Sequence, residues 1–400
     1  MSYSIELISE TTKILKNALR NKKLKIHPVP KENELLSSWI IRLAVSNGLT
    51  PYAFMSIHFR DFYYLLRQDM DSTNKLAYFK MLSYKTGLPV DYIENLSLTS
   101  YDGIIFITDE KTNKRPLLLY LTNKGGYNKT FGYRYCPFCL KENEYLKKEW
   151  RLVFSTVCLK HKVFLLDRCP NCNKPLSPFI WRNLKTTHFH CPHCNYEYKN
   201  ATEYTENIPK DSEVSYYQEK LYKIIGNRKF KFDDKEYFSV LFFPVLAYIV
   251  RIIFNWNRFK YDLLDKEKEL LNLTQSPNKK AIYLFSLSVK EHALLFTVAM
   301  DILSNKENFD IFVKNNKITH SKLNMANDKM YVPYWYERLI NNYKIGKYVS
   351  LEETKNAIKY LKSKGIKPSF PKLREIFGIW LESKKRMDIK EILKQDNVRR

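Results

Sequence analysis

The chain has 400 residues, 44% hydrophobic and 27% charged, which excludes a disordered polymer and leaves room for several domains. Tyr (29) and Phe (24) are abundant while Gly is scarce at 10, a balance that favours packed helices over a Gly-rich all-β or phosphate-loop protein. The formal charge is +25, with +7 in residues 131–200 and +9 in residues 341–400, so a polyanion, and nucleic acid first among them, is the expected partner.

Residues 1–26 form an amphipathic lead-in, with Ile5, Leu7, Ile8, Ile14, Leu15 and Leu19 between basic residues. The start lacks a basic region followed by an apolar core, so no signal peptide is expected and a cytoplasmic protein is. In that compartment thiols serve as metal ligands more readily than as disulfides. Residues 27–130 are expected to be an N-terminal helical domain. Asn33 is placed to cap a helix from Glu34 to about Ser46, with Leu35, Leu36, Trp39, Ile40, Leu43 and Ala44 on one face and Gly48 ending it. A short helix follows from Thr50 to His58. Another runs from about Asn74 to a turn at Thr86–Gly87–Leu88, with a further helix after Pro89, which is a helix-turn-helix pattern. Residues 61–130 carry only +1, so this pair is as well suited to protein as to DNA. Ile104–Thr108 and Pro116–Leu121 flank a polar turn and read as a hairpin.

Residues 131–200 hold all seven cysteines. Cys136 and Cys139 lie in CPFC, Cys158 and His161 in CLKH, Cys169 and Cys172 in CPNC, and Cys191 and Cys194 in CPHC. Eighteen residues separate Cys139 from Cys158 and again Cys172 from Cys191, and each ligand of the first set recurs 33 positions later. The unit C-x2-C-x18-C-x2-C/H is thus duplicated. Two intervening residues let one tight turn present two donors to a zinc ion, and four protein donors close its tetrahedron, so two structural Zn2+ ions are expected. A redox pair fits four turns at matched spacing poorly. His188, His190 and His193 are competing donors for the second ion, though spacing favours the cysteines.

Residues 201–330 read as a helical domain, with helices near Glu213–Ile225, Phe238–Phe254 and Val289–Ser304. The apolar run Val240–Val250 is shorter than the ~20 residues of a membrane helix and contains Pro244, so a buried helix and no membrane partner are expected. Residues 331–400 form a basic domain. Ser350 and Glu353 make a capping box for a helix carrying Leu351, Ala357, Ile358 and Leu361, which ends at Gly365. A second short helix spans Pro371 to Phe377. Lys367, Lys372, Arg374, Lys384, Lys385 and Arg386 are the candidate nucleic-acid contacts of this second helix-turn-helix-like unit. No catalytic constellation emerges. NKGGYNKT lacks a phosphate loop's Gly-Lys-Ser/Thr ending, and Glu291-His292 has no second His at the zincin offset. A nuclease of dispersed carboxylates remains as a distant reading. The expected fold is mainly α and multidomain: an N-terminal helix-turn-helix, tandem structural zinc fingers and a helical C-terminal part.

The text PVPKENELLSSWIIRLAVSNGL resembles the opening of the TniQ/TnsD family of bacterial transposition target-selection proteins, through Pro30, Glu34, Ser38, Trp39, Arg42, Asn47 and Gly48. The segment from Tyr135 to Leu176 is similar to that family's paired C-P-x-C, central Trp (Trp150), C-x-x-H and C-x-x-C. The resemblance covers about residues 27–198. It implies a non-catalytic adaptor joining target DNA to an AAA+ regulator and, through it, a transposase. In one branch the target is bound directly. In the other it is reached through a CRISPR effector complex with its guide RNA, often with the adaptor as a homodimer. The competing expectation from the residues alone is a stand-alone zinc-dependent DNA-binding transcription regulator.

Overall fold

The computed structural model describes residues 23–107, 115–124, 127–180, 189–210, 212–255, 260–271, 287–328, 330–343 and 351–377. Most of the lead-in, up to residue 22, and Ser350 of the expected capping box lie outside them. The chain is mainly helical and divides into two compact units, Met1–Lys317 and Ile318–Arg400. Among the described residues no helix is long and apolar enough to cross a membrane.

The first unit opens with α1 (Leu36–Ser46), α2 (Pro51–His58), α3 (Leu76–Thr86) and the short α4 (Val90–Glu94). Buried Trp39, Ile40, Leu43, Phe54, Phe59, Tyr78, Phe79 and Leu82 form their common core. Asn33 does not cap α1. It sits in the left-handed region at φ 53, the residue before the helix is Leu35, and no side chain of that residue caps it. The acceptor for a first-turn amide comes from far along the chain, Asp71 Oδ1 at 2.7 Å from Ser37 N. Thr50, by contrast, caps α2 locally through Ala53 N at 3.2 Å. Gly87, at φ 74, ends α3 in the left-handed conformation that glycine adopts without a Cβ penalty.

Between the segments 104–107 and 115–121 the expected hairpin pairing is absent among the described residues. Leu117 and Leu119 are drawn to the cysteine-rich block: Leu119 N donates to Arg151 O (2.8 Å) and Val153 N to Leu117 O (2.9 Å). Burying both leucines there outweighs a local strand pair. A smaller hairpin forms instead from β1 (Asn123–Lys124) and β2 (Tyr127–Asn128). The block continues with α5 (Pro137–Glu142) and the hairpin β3 (Val157–Cys158)–β4 (Val163–Phe164).

The helical part of this unit begins with α6 (Val214–Asn227). The hairpin β5 (Lys229–Phe232)–β6 (Lys235–Phe238) comes next, so Phe238 ends a strand and does not start a helix. Its two-residue turn, Asp233–Asp234, has φ of 51 and 60, as a tight hairpin turn requires, and alternation buries Phe230 and Phe232 while Lys229 and Lys231 face solvent. The apolar run then folds as α7 (Phe243–Asn255), with Pro244 tolerated in the first turn. After α8 (Asp262–Leu270), the helix α9 (Val289–Ile302) is buried almost all round and opens on a capping box between Ser288 and Glu291. It packs on α6, α7, α8 and α10 (Lys306–Asn315).

The second unit holds α11 (His320–Leu323), α12 (Tyr334–Asn341), α13 (Leu351–Ser363) and α14 (Phe370–Phe377). Ala357, Ile358 and Leu361 of α13 bury against Leu373 and Phe370 of α14, and Gly365 turns the chain between them at φ 71.

Candidate metal centres and basic surface

Each cysteine-rich turn is built by local backbone closure. Cys136 precedes α5, with Pro137 in the helix's first position, so CPFC presents two thiols from a helix start. The other three turns close by an amide four residues after the leading cysteine: Lys162 N to Cys158 O (2.8 Å), Asn173 N to Cys169 O (2.9 Å) and Asn195 N to Cys191 O (2.8 Å). Lys162, Asn173 and Asn195 all adopt positive φ to do so. The 33-residue repeat is therefore close but imperfect, because its first turn is helical and its third is not.

These turns bring the donors together in two sets, Cys136/Cys139/Cys158/His161 and Cys169/Cys172/Cys191/Cys194, with all donor atoms of each set within 4.8 Å of one another. In the first, His161 Nδ1 lies 3.5, 3.3 and 3.5 Å from the Sγ atoms of Cys136, Cys139 and Cys158, and Cys139 Sγ lies 3.6 Å from Cys158 Sγ. In the second, Cys169–Cys194 and Cys172–Cys191 are each 3.5 Å apart. A tetrahedron with zinc–sulfur bonds of about 2.3 Å has edges of roughly 3.8 Å, slightly shorter where nitrogen replaces sulfur. Both sets fit that size. His190 is buried outside the second set, His193 is no part of it, and His188 lies outside the described residues.

The electrostatics also fit a cation. Hydrogen bonds to Cys136 and Cys158, with burial, push the Cys139 thiol up, and burial pushes Cys169 and Cys191 up. Thiols so crowded resist ionising together, and a divalent cation among them removes that resistance. The other ring nitrogen of His161, Nε2, lies 3.1 Å from Glu142 Oε1, the carboxylate partner that a metal-bound histidine commonly uses. The ring also stacks on Phe138. Nothing in the sequence spacing singled out Glu142, which reaches the site only because α5 places it one turn beyond Cys139.

The metal block is clamped to the N-terminal helices. Ser38 Oγ accepts from Leu146 N (2.9 Å) and donates to Glu34 Oε1 (3.0 Å). Arg151, 1% exposed, reaches Asp69 (2.7 Å) and the fully buried Asp71 (2.9 Å). Burial pushes the Asp71 carboxyl up to about 6; Arg151 opposes that shift and Asp69 adds to it. The remaining residues of the opening signature hold the segment before α1. Trp39 Nε1 donates to Pro28 O (2.8 Å), Asn47 Nδ2 to Ile26 O (2.8 Å), and Arg42 pairs with buried Glu34 at 2.5 Å. On the helical side, Gln218 of α6 accepts from Thr156 N and Val157 N, while Arg134 lies 3.0 Å from His292 Nδ1 of α9 and donates within the block to Val153 O and Ser155 O.

The candidate nucleic-acid contacts are less gathered. Lys367 is exposed between α13 and α14, and Lys372 is exposed on α14, 2.8 Å from Glu375. Arg374 lies on α14, and Lys384, Lys385 and Arg386 fall outside the described residues. The structure adds exposed Lys355, Lys359 and Lys362 on α13, whose i, i+4, i+7 spacing sets them on one face beside the buried Ala357–Ile358–Leu361 stripe. That spacing was readable in the sequence.

No curated protein matches the chain. Residues 25–165 match the TniQ family model, a span that takes in α1 to α5, the clamp and the whole first donor set but stops before the second. Over these residues the chain is similar to the TniQ family.

Proposed function

We propose that this protein is a non-catalytic adaptor for transposition target selection, linking target DNA, directly or through an RNA-guided CRISPR effector complex, to an AAA+ regulator and transposase. The TniQ match over residues 25–165 carries the reading, since that family ties the chain to transposition. Two Zn2+ ions held by the two four-donor sets supply cross-links, and with every position filled by protein they offer no open coordination site for chemistry. The lysine face of α13, with Lys367 and Lys372, supplies charge for a phosphate backbone.

The test is a pull-down of the full chain against AAA+ ATPases of its host, paired with an insertion assay in a deletion strain. The reading expects capture of the regulator and loss of targeted insertion. Absence of both, with altered transcription near the gene's own promoter, would replace it by the alternative that the basic C-terminal helices favour: a zinc-dependent transcription regulator.

A further inference from the structure

A cleft of about 470 Å3 lies where the N-terminal helices, the metal block and the end of α6 meet. Its size falls within the roughly 300–1,000 Å3 of ligand-binding clefts. The buried Lys148 forms part of its wall, with Nζ 2.5 Å from Asn95 O, 2.8 Å from Ser100 Oγ and 5.0 Å from the Tyr101 ring centroid. All of these partners are neutral, and among the described residues no carboxylate is within ion-pair reach of the amine. Burial pushes it down to about 8, and the charge of Glu149, on the same wall, opposes that shift only in part. Buried charges are ordinarily paired directly, so a closer counter-charge at this amine would stabilise it. Arg228 also lines the cleft, exposed, held at φ 55 just past α6, and making no ion pair among the described residues. The acidic wall residue, Glu149, has Lys147 as its neighbour at 3.9 Å. Positive charge is thus in excess, with Ile104, Leu152 and Ile225 giving apolar wall beside it.

We propose that this cleft receives a carboxylate-bearing segment of a partner protein, its acidic side chain meeting Lys148 and Arg228 while a neighbouring apolar side chain rests on the aliphatic wall. The proposal stands apart from DNA binding and from the transposition reading, because it rests on the charge and shape of the cleft alone. Gly226 provides the means to test it. A Cβ added there meets no atom within 4 Å, so a side chain can start from this position on the cleft wall, and replacing a helical glycine favours the helix.

The experiment titrates the zinc-loaded full chain with two fluorescent pools of blocked tripeptides, one with glutamate at the centre and one with glutamine, reading anisotropy. Binding of the glutamate pool at least tenfold tighter is expected, with the preference lost in Arg228→Ala and Lys148→Met and both pools excluded by Gly226→Phe. Should Lys148→Met fail to fold, the two surface variants still decide the matter. Equal binding of the pools, no binding of either, or binding untouched by Gly226→Phe would overturn it. So would inorganic phosphate binding in the cleft where the glutamate pool does not, which would assign it to a phosphate ligand.

Discussion

At the scale of single residues, the buried pair of Asp71 and Arg151 joins two parts of the chain 80 residues apart. A guanidinium with 1% exposure is tolerable only with its carboxylates in place, so Arg151→Met should cost about 3–5 kcal/mol, the usual penalty for breaking a buried pair from one side. The pH response follows from the raised carboxyl. In the fold Asp71 holds its proton more tightly than the ordinary carboxylate near 3.8 does. Its contribution to stability is therefore complete below about 4 and is lost as pH rises through about 6. The Tm difference between wild type and Asp71→Asn should shrink across that window, by the equivalent of about 2 kcal/mol. Taking the difference between the two proteins removes the acid sensitivity that their zinc thiolates share. A flat difference from pH 4 to 7 would mean that Asp71 is ionised throughout.

At the scale of elements, the two metal centres are separable in chemistry though joined in space. Zinc analysis should give two ions per wild-type chain and one for either Cys139→Ser or Cys172→Ser, and a chelator should lower the Tm of all three. Glu142→Ala should weaken retention at the first site by about 10–100-fold in a competition with a chromophoric chelator, leaving the second unchanged. How much of this was legible in the sequence depends on how far apart the interacting groups lie. The grouping of donors could be read because each turn is a matter of three or four consecutive residues, and the fold gathers the turns into two sets. The ends of α3 and α13 could be read for the same reason, through Gly87 and Gly365. The start of α1 could not, because its acceptor is Asp71, 34 residues away from Ser37. The segment after Tyr101 was misread where alternating apolar residues suggested a strand pair. Leu117 and Leu119 were reserved for a surface that only the folded metal block supplies.

At the scale of the whole molecule, the excess charge of +25 predicts salt-sensitive association with DNA. If the α13 face contacts phosphates, Lys355→Ala and Lys359→Ala should each reduce the slope of log affinity against log salt by about one unit, uniformly across DNA sequences. An unchanged slope would leave those lysines as a solvated face. The family resemblance pointed to Glu34, Ser38, Trp39, Arg42 and Asn47, but their common task, gripping the segment before α1 and the metal block, appears only in the assembled unit. That clamp bears on how the protein is made. Ser38 and its partner Leu146 are 108 residues apart. At about 5–20 residues per second on the ribosome, the buried face of α1 emerges on the order of ten seconds before the block that covers it. During that interval Trp39 and its neighbours lack the cover that the later block provides.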